Sequence, residues 1–261
     1  MKFSIITVVK NGFPNIKSTF RSLHNQTFKS YEHIILDGKS TDGTSQFLKK
    51  NINKKTVYFR QKDNGIYDAL NKSFKISKGT YIIVLHSGDF FYSKNSLKLL
   101  SKFLDQNNNY DFYYSNILFY SKNKNLISRI WKIAPNHNSR LNFLRIGHTT
   151  LCVKKHISQK FFFDIKLKIS ADTAYILRLC KNFKGKYYNN FFIYMEDEGL
   201  SNLKKNYLQK LKEDLKILYK EFGFYCIFVY IYKILIKIPG KLVKQKKYNK
   251  KFIFEKSKLL K

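Results

Sequence analysis

The chain holds three cysteines in 261 residues: Cys152, Cys180 and Cys226. They are widely spaced and lie in apolar segments, which excludes a disulfide framework and a zinc-ligand pattern. They read as buried structural thiols in a reducing compartment. Acidic residues are also scarce, with 17 Asp and Glu against 50 Lys and Arg, for a formal net charge of +33. Such a field attracts anions, whether nucleic acid, an anionic membrane surface or a phosphorylated substrate. Long apolar runs are missing too. Residues 224–232 form an uninterrupted apolar run near the C-terminus, far short of the ~20 residues that a membrane-spanning helix needs. Met1-Lys2 leads straight into a strand pattern, with neither the apolar region nor the cleavage site of a signal peptide. The catalytic part is therefore expected in the cytoplasm.

What is present suits a folded enzyme. A hydrophobic content of 44% is ordinary for a globular chain, and the length allows one large domain, or a domain plus a tail. The first ninety residues repeat one motif: a buried-strand pattern that ends in turn residues able to touch a ligand. Phe3–Val9 runs into Lys10-Asn11-Gly12, Tyr31–Leu36 into residues 37–44, and Thr80–Leu85 into His86-Ser87-Gly88-Asp89. Helical patterns fall between them, one after Asn15 as a potential cap, one near 44–50 and one over 66–77, with a short strand at 57–60. This alternation predicts an α/β fold built on a mainly parallel sheet with right-handed crossovers. In such a sheet the loops at the strand C-terminal ends converge on one crevice, so Asp37, Asp42 and Asp89 are expected to meet there.

The rhythm changes after residue 110. Residues 111–120 and 126–133 read as an antiparallel pair, and 148–153 as a further short strand. A helix is expected over 171–181, a strand over 191–195 and an amphipathic helix over 203–222. Beyond it, an aromatic-rich apolar segment at 224–238 precedes Lys241, Lys244, Lys246, Lys247, Lys250, Lys251, Lys256, Lys258 and Lys261, opposed by Glu255 alone. That order suits an interfacial anchor on an anionic membrane; a helix packed on the domain with a solvated tail is the alternative.

Four segments in order, residues 4–8, 36–44, 63–71 and 85–89, resemble the family 2 glycosyltransferases with the GT-A fold. The variant resembles the bacterial branch that builds surface polysaccharides and lipopolysaccharide. The resemblance covers roughly residues 3–200 and implies a GT-A, Rossmann-like sheet flanked by helices, with a small antiparallel section and, outside it, a C-terminal amphipathic helical tail. The expected division is 1–202 for the transferase, its nucleotide half at about 1–92, and 203–261 for helices and a membrane-associating tail.

The resemblance also implies roles. Family members bind a nucleoside-diphosphate sugar, usually with Mn²⁺ or Mg²⁺. Thr7, Val9 and Asn11 would line the nucleotide, and Asp37 would hydrogen-bond the uracil or ribose. Asp63, Gly65, Asp68, Asn71, Ser87 and Gly88 would complete the nucleotide-sugar contacts, with Asp68 equally suited to complementing a helix dipole. Ser40 and Asp42 suit shaping the loop. Asp89 matches the last carboxylate of the family's D-x-D-type motif and would hold the metal, although His86 and Gly88 stand where many relatives carry Asp. Asp172 matches the catalytic base of inverting members, and it also suits an N-cap. His148 would border the acceptor and diphosphate, with Thr149 in place of the usual Gln. Residues 196–201 fall where relatives carry "G-G-x-S". Tyr113, Tyr114 and Trp131 are candidates for sugar-facing aromatics.

The partners implied are a UDP-sugar, a glycan or polyprenyl-linked acceptor, and the inner face of the cell membrane. Two other classes compete. A nucleic-acid binder would explain the charge, but no recognised nucleic-acid motif is present. A nucleotidyltransferase would need a Gly-rich basic phosphate loop after the first strand, which residues 10–14 match poorly.

Overall fold

The computed structural model describes residues 1–121, 126–133, 141–197 and 206–236. Its centre is a nine-stranded sheet. Strands β1 (Phe3–Val9), β2 (Tyr31–Asp37) and β4 (Tyr81–Val84) are buried along their whole length. Strand β3 (Thr56–Arg60) lies outside them, in the order β3-β2-β1-β4, all parallel. Near-continuous runs of Ile, Val and Leu suit strands covered on both faces. The cover comes from α1 (Ile16–His24), α2 (Thr44–Asn51) and α3 (Ile66–Ile76).

The second half continues the sheet with mixed pairing. After the short β5 (Phe90–Phe91) comes α4 (Ser96–Gln106). The helix expected to follow Asp89 is α4, which starts at Ser96 with Asn95 rather than Asp89 at its cap, and Leu97, Leu100 and Leu104 recur at helical spacing and are buried. The long strand β6 (Phe112–Ser121) pairs antiparallel with β7 (Leu126–Trp131) and with β8 (Cys152–Lys154). Strand β8 joins the halves by pairing antiparallel with β4. Residues 148–150 form a 3₁₀ turn rather than the expected start of that strand. After α5 (Lys155–Ser158) and α6 (Ala171–Asn182), strand β9 (Gly185–Glu196) runs parallel to β6, and is longer than its apolar core at 191–195 suggested.

Helices α7 (Tyr207–Phe222) and α8 (Cys226–Leu235) close the described chain. Ile217, Leu218, Cys226 and Val229 are buried in the same apolar core as Ile6 and Ile34 of the sheet. The boundary expected near 202 and the polybasic segment lie outside the described residues. Among the described residues, no helix is long and apolar enough to cross a membrane. Two expectations fail on burial. Cys180 is exposed, unlike Cys152 and Cys226. Tyr113 and Tyr114, candidates for sugar-facing aromatics, are buried core residues, whereas Trp131 is part-buried and stacks on Phe119.

Candidate active site

The loops after β1, β2 and β4 interlock. The Asn11 N–H donates to Ser40 Oγ at 2.9 Å, and the Thr41 N–H donates to Asn11 Oδ1 at 2.9 Å. The Gly12 N–H reaches Thr44 Oγ1 at 3.0 Å, and Ser87 Oγ donates to the Gly12 carbonyl at 3.4 Å. Asp42 serves this scaffold, accepting from the Phe13 and Thr44 N–H groups at 2.8 and 3.1 Å.

Several expected nucleotide contacts turn out to be spent inside the protein. Thr7 is fully buried and donates to the Leu85 carbonyl at 2.8 Å, so its oxygen accepts from His33 Nε2 at 3.0 Å. Asp37 is also fully buried. It accepts from the Ser40 N–H at 2.8 Å, from Tyr58 Oη at 2.9 Å and from the Ser45 hydroxyl. Burial opposes its charge, but these donors hold its pKa below the ordinary value. Asn71 clamps a distant loop: its amide donates to the Phe163 carbonyl and accepts from the Phe163 N–H, both at 2.9 Å. Val9 is buried, and its carbonyl accepts from the Gly38 N–H at 2.8 Å. Asn15 holds the N-cap position of α1 without a side-chain cap hydrogen bond; its amide reaches the Glu196 carboxylate at 3.1 Å.

Other expected residues stay near open space. Asp63 accepts from the Gly65 N–H at 2.9 Å. Gly65 has φ of 109°, and no atom lies within 4 Å of where a Cβ would sit, so a ligand can approach its backbone. Asp68 accepts from the Asn64 N–H at 2.9 Å and pairs with Lys72 at 2.7 Å in the first turn of α3.

The acidic centre differs from the expected trio of Asp37, Asp42 and Asp89. Among the described residues, no three Asp, Glu, His or Cys side chains gather as a metal site. Asp89 instead faces the end of β9. Its Oδ1 accepts from the Glu196 N–H at 3.0 Å, while its buried Oδ2 has no hydrogen-bond partner. Burial raises its pKa to about 7, helped by the Glu196 charge. Gly88 has φ of 100°, and a Cβ there would lie 2.0 Å from Glu196 Oε2. Only glycine lets that carboxylate settle over the loop.

Beside this pair runs a hydrogen-bonded chain. His148 Nδ1 lies 3.1 Å from Asp172 Oδ2, and His148 Nε2 lies 2.8 Å from His86 Nε2. Burial drives the His86 pKa down to about 3, with the His148 charge adding to it. Burial works against a charge on His148 as well, but the Asp172 hydrogen bond and charge outweigh it and raise its pKa. Burial opposes ionisation of Asp172, yet His148, and after it Lys233, bring its pKa down to about 2. The chain therefore runs from the Asp172 carboxylate through His148 to a neutral His86 imidazole, with His148 bridging the two through its ring nitrogens. Asp172 lies in the first turn of α6, and Ser170 holds the cap position. Tyr67 spans the same region, donating to the Ile169 carbonyl at 2.7 Å.

His86 and Glu196 are the site residues that motif reading missed. His86 is visible only as a departure from an acidic pattern. Glu196 is visible only as the first residue of the segment that stands where relatives carry "G-G-x-S", with no role attached to it. Of residues 196–201, only Glu196 and Asp197 are among the described residues.

The sheet order, the antiparallel β8 splice and the crevice at the strand ends define a GT-A fold. The model of the family described as "Glycosyl transferase family 2" matches residues 4–165, and the chain belongs to that family. A PGL/p-HBAD biosynthesis glycosyltransferase of Mycobacterium bovis is 27% identical over 124 residues, 46% of this chain and 48% of the relative. The chain thus spans about half the length of the curated relatives it matches. The crystal structure of S. aureus TarS 1–349 in complex with UDP-GlcNAc superposes with a TM-score of 0.69 at 17% identity, covering 100% of this chain and 81% of that one. The mannosyltransferase PcManGT from Pyrobaculum calidifontis, in complex with GDP-Man and Mn²⁺, gives 0.59 at 11% identity, covering 100% and 81%.

Proposed function

We propose that this protein is an inverting glycosyltransferase that moves a sugar from a UDP-sugar to a hydroxyl of a glycan or lipid-linked glycan during bacterial surface polysaccharide synthesis. The observation that carries the reading is the Asp172–His148–His86 chain beside the buried Asp89. One end suits an acceptor hydroxyl and the other a diphosphate. The UDP-GlcNAc complex of TarS supports a uridine donor.

Asp172 takes the acceptor proton as that oxygen attacks the anomeric carbon from the face opposite the diphosphate. With a pKa near 2 it is ionised throughout the physiological range. His148 holds the carboxylate from one side, and neutral His86 fixes the His148 ring. The Gly65 N–H is taken by Asp63, so it is the first turn of α3 beyond Gly65 that offers backbone N–H groups to the donor.

Asp89, with Glu196 beside it, would hold a divalent cation, Mn²⁺ or Mg²⁺, whose chemistry there is to neutralise charge on the leaving diphosphate. The fit rests on the unpartnered Asp89 Oδ2 and on the burial that disfavours its bare charge. Two carboxylates leave most of the coordination to the nucleotide and water.

The enzyme works at the inner face of the cell membrane. The outward side of α8 and the turn before it support this reading, with Phe224 in the turn 87% and Phe228 on the helix 71% exposed ahead of the lysine-rich segment. The test is nucleotide release from a panel of UDP-, GDP- and dTDP-sugars, with Mn²⁺ or EDTA. Metal-dependent UDP release from one donor, lost in Asp89→Ala, is expected. Release of GDP or dTDP instead would overturn the uridine assignment.

A further inference from the structure

The transfer scheme leaves one buried ion pair unused. Lys233 on α8 and Asp214 on α7 meet at 2.8 Å, with side chains only 7% and 2% exposed. An isolated pair of this kind is a poor stabiliser, because desolvation offsets most of the attraction; an apolar pair of similar volume often does as well or better. The pair is also incomplete, since Asp214 Oδ1 is buried with no partner.

Its position is more telling. Lys233 Nζ also lies 3.5 Å from Thr173 Oγ1. Thr173 follows Asp172 directly, and its N–H donates to Asp172 Oδ1 at 2.7 Å. The ammonium therefore grips the first helical turn that presents the base. His148 holds one carboxylate oxygen of Asp172 and the Thr173 backbone holds the other. Helix α8 can reach this place because Cys226 and Val229, on the same side as Lys233, are buried against the core.

We propose that Lys233 is a positioning residue for the transfer reaction: it ties α8 to the first turn of α6 through Thr173 and Asp214, making the C-terminal helix part of the acceptor side of the active site. The proposal rests on the reading of Asp172 as the base. Lys233 touches no substrate. It sets where the Asp172 carboxylate points, and displacement of a reacting group by about 1 Å can cost on the order of 100-fold in rate. The helix whose outer side is apolar and exposed is thereby joined, on its inner side, to the catalytic base.

The experiment uses the full chain and compares the parent with Lys233→Met, Lys233→Met/Asp214→Leu and Asp172→Asn. Steady-state transfer gives kcat and the donor KM, and calorimetry gives UDP affinity. Lys233→Met is expected to lower kcat about 10- to 100-fold, with donor KM and UDP affinity unchanged. The double variant removes both buried charges and keeps the fold even where the single one fails; its kcat is expected to stay low. A double variant with the parent's kcat would show that the pair serves stability alone and would overturn the proposal. Asp172→Asn separates the two ideas. If it is inactive while the double variant is fully active, only the role of Lys233 falls; if it is active, the base assignment falls and the role of Lys233 with it.

Discussion

Asp172 owes its low pKa to its neighbours, because its burial alone would push the other way. Asp172→Asn keeps the shape but loses the ability to accept a proton. It should abolish transfer and leave UDP affinity intact, measured by activity assay and calorimetry on one preparation. Asn71 carries the opposite expectation. Its two hydrogen bonds bind the backbone of Phe163, so Asn71→Ala should cost about 1–3 kcal/mol in urea unfolding and leave the donor KM unchanged. A raised KM with full stability would return Asn71 to the nucleotide. Histidines set the acid response. Burial lowers His24 to about 4 and His86 to about 3 from an ordinary 6.5, and keeps His33 well below it. Below 6.5 the unfolded chain binds protons at these positions that the folded protein refuses, so stability is lost as pH falls toward 4. Asp89, raised to about 7, acts in the reverse direction, but it is one group against three. His148, with a raised pKa, contributes stability that is complete below 6.5 and lost above it. The Tm should therefore fall between pH 6.5 and 4, and a rising Tm would contradict neutral burial of these rings.

At the scale of elements, the strand–turn–helix units of the first half were legible because each is local: an apolar run, a turn and a helical period lie within about thirty residues. The same patterns could not separate ligand residues from scaffold. Thr7 and Asn71 stand at motif positions, yet they are satisfied by partners 78 and 92 residues away. Such pairings depend on sheet order, which no local pattern encodes. The parallel pairing of β6 with β9 and the approach of Glu196 to Gly88 were hidden for the same reason. Asp172 and His148 were visible through family resemblance, but their contact with each other was not. Helix α8 makes its own prediction. Phe228→Glu with Ile231→Glu alters only its exposed side and should reduce flotation with anionic phosphatidylglycerol vesicles while leaving the Tm unchanged. Undiminished flotation would remove this helix from the membrane reading.

The whole molecule combines a crevice built on carboxylates with a formal charge of +33. A field of this sign attracts anions in general, while Asp37 and Asp42 are engaged by donors and Asp89 is desolvated. A nucleic-acid binder would instead expose its basic groups at the ligand face. In this protein the groups brought together at the strand ends are the Asp172–His148–His86 chain and, beside it, the buried Asp89, and they carry the proposed chemistry. The most direct measurement of that claim is UDP release from UDP-sugars in the presence of glycan acceptors, compared between the parent chain and Asp172→Asn with UDP affinity determined for both. The account predicts release by the parent, none by the variant, and equal affinity. Equal release by the two proteins, or a parent chain that binds no UDP, would contradict it.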